Sequence, residues 1–130
     1  MSSGVKGMTD FDRWLVKQFA ETGAFTTLVV LVDIGASRVT PLRSTHFNVI
    51  GTETSWAELS TLFMDAGDDW DGVSFFPLAA VDGELLDNQT AQRKLRELEA
   101  RLNDDRLVLN EGHFFDKWGR RMRIDEVQIQ

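Results

Sequence analysis

The sequence predicts an α+β domain, with three helices packed on one mainly antiparallel sheet of about five to six strands. Three observations lead there. Three segments repeat apolar residues at helical spacing beside capping signals. One long run is β-branched and apolar on both faces. The other apolar segments are short and separated by Gly, Asp and Asn. A chain of 130 residues fits one domain. Residues 1–8 read as a flexible tail and 9–130 as the folded part.

Phe11, Trp14, Leu15 and Phe19 define the first helix, from about Asp10 to Thr22. Thr9 or Asp10 caps it, Asp10 and Asp12 suit the positive end of its dipole, and Gly23 closes it. Ala24–Gly35 follows as a central strand that hides both faces. Ser37–Ser44 reads as an extended segment in which Pro41 points to a sheet edge or a loop. His46–Gly51 reads as a short strand.

The second helix opens on the capping box Ser55-Trp56-Ala57-Glu58. Trp56, Leu59, Leu62, Phe63 and Ala66 form its apolar face, and Gly67 ends it. Val73–Phe76 resumes as a strand. Asp82-Gly83 predicts a tight turn between Leu78–Val81 and Glu84–Leu86. Asp87 or Asn88 starts a third helix with a stripe of Ala91, Leu95, Leu98 and Leu102. The tail reads as extended pieces at Arg106–Asn110, His113–Asp116 and Arg120–Val127, with Lys117-Trp118-Gly119 as the last turn.

Composition narrows the chemistry. The chain has no cysteine, which excludes disulfides, thiolate nucleophiles and thiolate-bound metal. Residues 1–8 lack the apolar run of a secretory signal. No stretch approaches the roughly 20 apolar residues that span a bilayer. A cytoplasmic protein without membrane contact is expected. The net charge of −7 argues against a nucleic-acid partner. No phosphate-cradling loop, nucleophile elbow or paired-histidine metal motif occurs.

The acidic loop Asp65–Gly72 draws attention because it sets carboxylates beside Trp70. A calcium loop needs oxygen ligands at positions one, three and five, Gly at six and Glu at twelve. With Gly72 as the sixth position, Asp69 and Asp71 fall at three and five, but Gly67 and Leu78 occupy one and twelve. No metal or cofactor is therefore expected. The carboxylates have ordinary turn roles, and Trp70 is expected to fold back as a lid on the core. An exposed Trp70 would instead mark a partner contact.

Its counterpart is the basic hairpin, where Lys117, Trp118, Arg120, Arg121 and Arg123 follow closely. The expected function is a non-enzymatic module that binds a protein partner or a second copy of itself. Its contact residues would be Asp69, Trp70, Asp71, Trp118, Arg120, Arg121 and Arg123. Two alternatives stand beside it. One is a small enzyme or ligand-binding protein with a pocket near Asp33, His46 and His113. The other is an anion or nucleic-acid binder using Arg121 and Arg123.

Overall fold

A computed structural model describes residues 8–36, 38–65, 67, 69–78 and 84–124. Helix α1 spans Asp10–Thr22, strand β1 Phe25–Ile34 and strand β2 Val39–Val49. Helix α2 spans Trp56–Asp65, β3 Gly72–Leu78 and α3 Asn88–Asp104. A 3₁₀ helix, Arg106–Glu111, leads into β4, His113–Asp116. The strands form one antiparallel sheet in the order β2-β1-β3-β4. Because β2 and β3 both run against β1, they are parallel to each other, and α2 carries the chain from one to the other across β1.

The architecture is α+β as expected, but the described residues contain four strands and four helices, counting the 3₁₀ turn. The segments around Val39 and Phe47 fuse into one strand, with its register shifted where Leu31 and Val32 pair. Pro41 sits in it because β2 is an edge strand. Arg106–Glu111 winds instead of extending. The Asp105 carboxylate accepts from Leu107 N–H at 2.9 Å and its carbonyl from Val108 N–H at 3.2 Å, which starts a tight helical turn. The final segment adds one bridge, Phe115 with Arg121. The expected Asp82-Gly83 turn, the end of the last strand at Val127 and the tail 1–7 lie outside the described residues.

Residues of β1 alternate between two cores, the period-two consequence of strand geometry. Phe25, Val29 and Leu31 face α1 and α2, joining Phe11, Trp14, Leu15, Trp56, Leu59 and Phe63. Leu28, Val30 and Val32 face α3, joining Leu95, Leu98, Leu102, Val108 and Leu109. The sheet is thus a middle layer covered on both sides, which explains why β1 reads as apolar throughout.

Local chemistry fixes the helix starts. Thr9 and Asp12 form a reciprocal capping box on α1, with both bonds at 3.0 Å. The other Asp12 oxygen accepts from Trp56 N–H at 2.9 Å, so one carboxylate serves two helix N-termini. Ser55 and Glu58 complete the expected box on α2. Asp87 caps α3 by accepting from Thr90 N–H at 2.7 Å, which holds its carboxyl below the usual range.

Candidate functional site

The acidic loop is built into the sheet. Asp71 N–H donates to Val32 carbonyl at 2.8 Å, and the Asp71 carboxylate accepts from Ile34 N–H at 2.8 Å. The loop is therefore stitched to the end of β1 by two backbone groups of that strand. Trp70 is 3 % exposed and makes edge contacts with Trp56 at 6.1 Å and Phe63 at 5.8 Å. It is a lid over the α1–α2 core. Burial removes it as a contact residue for a partner.

Stitching also crowds charge. Asp33, exposed at the end of β1, comes beside Asp71 and Asp69. A hydrogen bond shared with Asp71, then desolvation and the two neighbouring charges, hold its carboxyl above the usual carboxylate range. The nearest recorded cation is Lys117, with Nζ 4.0 Å from Asp71 Oδ1. Among the described residues no group of three or more His, Asp or Glu is placed to hold a metal ion. Asp68 is outside them.

The basic turn abuts this cluster, since Asp116 pairs with Gly72 across β4 and β3. Asp116 organises the turn. Its carboxylate accepts from the backbone N–H groups of Trp118 at 2.9 Å and Arg120 at 3.0 Å, and from Arg120 Nε at 2.8 Å. Trp118 is left 65 % exposed, with the Arg120 guanidinium 4.9 Å above its ring. Arg121 turns elsewhere. Its backbone N–H donates to Asp10 at 2.8 Å, which lowers the Asp10 pKa, and its guanidinium lies over Phe115 at 5.0 Å. Arg123 is exposed.

The histidines do not meet. His46 pairs with Leu28 on β2 and belongs to the α3 face, in a cleft with Leu86, Asn88 and Ala91. His113 pairs with Phe75 on β4 and belongs to the opposite face. Three interstrand spacings, about 14 Å of backbone, separate the outer strands. Asp33 stands near the end of β1, several residues beyond Leu28 and Val29, with which the histidines are level. His46 and His113 line separate clefts on opposite faces of the sheet, so no proton can pass between them directly or through one water.

His113 lies in its own cleft of about 450 Å³ with Asp10, Arg13, Trp14, Lys17, Glu21 and Arg121. It stacks on Trp14 at 4.7 Å, and its Nδ1 is 3.3 Å from an Arg121 guanidinium nitrogen. Burial, then the Arg121 charge, lowers its pKa from the ordinary 6.5. Above that value folded and unfolded chains both carry a neutral ring. As the pH falls through it, the unfolded chain binds the proton first and the folded state loses stability. The urea midpoint of the wild type is expected to fall between pH 7.5 and pH 5.5, by more than that of His113→Gln. Parallel curves for the two proteins would refute this.

Sequence reasoning missed a cavity of about 390 Å³ between α1, α2 and the Phe25 end of the sheet. Phe11, Trp14, Leu15, Phe47, Leu59, Phe63 and Phe75 wall it, with Thr27, Thr45, Asn48 and Thr54 as its polar members. Ile50 and Leu62 stand at the rim, 72 % and 63 % exposed. Leu62 was expected on the buried face of α2. The clue lay in that assignment: five apolar positions over Trp56–Ala66 make a stripe wider than one sheet contact covers.

No protein-family model matches this chain, and neither a curated protein nor a solved structure matches it. Among the described residues no helix is long and apolar enough to cross a membrane.

Proposed function

We propose that this chain is a non-enzymatic module that associates with a second copy of itself through one end of its sheet. The observation that carries the reading is a juxtaposition. The crowded carboxylates of Asp33, Asp69 and Asp71 lie next to a turn presenting Lys117, Trp118 and Arg120. Opposite charges side by side on one patch become complementary when the patch meets itself across a two-fold axis. The carboxylates of one copy then gain cations from the other, which relieves the repulsion around Asp33.

Trp118 supplies the apolar anchor. Trp and Arg dominate the energetics of protein contacts, and Asp116 holds the backbone of both residues and the Arg120 guanidinium. The turn backbone and the Arg120 side chain therefore lose little freedom on docking. Arg121 takes no part, because Asp10 and His113 hold it on the other side of the hairpin.

Sedimentation velocity across a concentration series tests the reading. A dimer is expected at low salt and weakens in 1 M salt, where screening acts over about 3 Å. Trp118→Ala is expected to weaken it by about thirtyfold, the loss typical of an interface hot spot. A monomer at every concentration and ionic strength overturns the proposal, and so does a dimer indifferent to Trp118→Ala.

A further inference from the structure

The His113 cleft gathers cations from distant parts of the sequence. Arg13 and Lys17 lie one turn apart on α1, Arg121 stands on the last hairpin, and His113 lies on β4. The cleft shares no residue with the proposed self-contact. Its volume of about 450 Å³ falls within the range of small-molecule sites, which run from about 300 to 1,000 Å³.

The carboxylates in the cleft do not neutralise it. Asp10 has both oxygens engaged, one by Arg13 and the other by the Arg121 backbone N–H at 2.8 Å. Arg13 is engaged in turn, by Asp10 and by the Met8 carbonyl at 3.0 Å. Setting that pair aside leaves Lys17 and Arg121 against Glu21. None of these three forms an ion pair among the described residues. The chain as a whole carries −7, so this excess of cations is local to the cleft.

Arg121 is held in place for a ligand. Its guanidinium lies over Phe115 at 5.0 Å, and one of its nitrogens is 3.3 Å from His113 Nδ1. A guanidinium only donates, so Nδ1 accepts and the imidazole carries its proton on Nε2. Nε2 has no hydrogen-bond partner among the described residues, and it is open to solvent. The cleft therefore offers the remaining N–H groups of a planar fork, an ammonium and an imidazole N–H, with no acceptor assigned to them. A fork of this kind matches the paired oxygens of a carboxylate or a phosphate.

We propose that the His113 cleft binds the anionic head group, carboxylate or phosphate, of a small molecule through the Arg121 guanidinium, the Lys17 ammonium and His113 Nε2–H. The volume exceeds what one head group fills, which leaves room for part of the body that carries it.

The chain has two histidines, and His46 lies in a separate cleft on the other face of the sheet. Ring NMR signals of the full chain thus carry their own control. Sulfate, which keeps its charge at every pH used, is titrated against chloride at matched ionic strength. It is expected to shift the His113 signal saturably and leave His46 unmoved. At saturation the midpoint of the His113 titration is expected to rise by about 1 pH unit, because a bound anion favours the charged ring. Arg121→Gln is expected to weaken sulfate about tenfold, the loss of one charge-assisted bond. Its backbone N–H still reaches Asp10, so the hairpin stays docked. Lys17→Gln, at an exposed position of α1, is expected to weaken sulfate about threefold. Arg123→Gln, outside the cleft, is expected to change nothing. Phenyl phosphate and benzoate then assign the head group by their relative affinity, with benzyl alcohol as the neutral control. The proposal is overturned if His113 shows no saturable shift, if His46 shifts as much, or if Arg123→Gln weakens sulfate as much as Arg121→Gln. Benzyl alcohol binding as tightly as the two anions also overturns it.

Discussion

Phe115→Ala is expected to remove about 3–5 kcal/mol of folding stability. Phe115 is fully buried in the α1–α2 core although it belongs to the short strand at the sheet's edge. Its ring lies 5.4 Å from Phe11, 5.9 Å from Trp14, 6.0 Å from Phe75 and 6.4 Å from Trp56. Truncation forfeits contacts with four aromatic rings at once. The Arg121 guanidinium also loses the face it covers. Two helices and two strands meet at this ring, so no single element can collapse into the gap. A small domain holds about 5–15 kcal/mol in total, so the variant is left close to unfolding. Urea denaturation followed by Trp fluorescence measures the loss. A change below about 1 kcal/mol would show that the four rings are not packed as described.

Gly119→Ala is expected to cost about 2–4 kcal/mol, from a strained backbone together with overpacking. Gly119 sits at φ +77°, and a Cβ there would come 2.9 Å from Thr9 Cβ and from two Trp56 ring atoms. Those neighbours cannot yield cheaply. Thr9 is the N-cap of α1, and Trp56 is pinned by Asp12 at its amide and by Lys117 carbonyl at its Nε1, both at 2.9 Å. The Gly119 carbonyl also accepts from Phe11 N–H at 3.0 Å, so any shift of the turn uncaps α1. Gly67→Ala is the control. Gly67 has φ +92° with nothing within 4 Å of a new Cβ, so only backbone strain applies, about 1–2 kcal/mol. Equal thermal shifts for the two variants would mean that the close approach to Trp56 carries no cost.

The helices were legible because their signals are local. Thr9, Ser55, Glu58 and Asp87 act within three residues of the groups they cap, as does Asp12 on α1; its second bond, to Trp56 N–H, spans 44 residues and is not legible in sequence. The central position of β1 was legible because burial on both faces leaves a continuous apolar run. Strand number was not, because pairing joins residues far apart and a register shift can merge two apparent segments into β2. The 3₁₀ helix was hidden for a related reason. Its Val108 and Leu109 are as apolar as a strand's, and only the Asp105 side chain marks the turn.

The sites divide the same way. The burial of Trp70 follows from its place between a helix stop and a strand start. The cavity could not be read, because its wall is assembled from two helices and three strands. Arg121 illustrates the limit. In sequence it belongs to a cationic strip, yet its amide is committed to Asp10 at the other end of the chain.

That last bond sets an order of events during synthesis. The Asp10 carboxylate and the Arg121 amide lie 111 residues apart, and Phe11 meets Gly119 over a similar gap. At translation rates of about 5–20 residues per second, the first helix waits on the order of ten seconds for the hairpin that completes its packing. Through that interval Phe11, Trp14 and Leu15 have no Phe115 to pack against. Slowing translation ahead of Phe115 lengthens that interval.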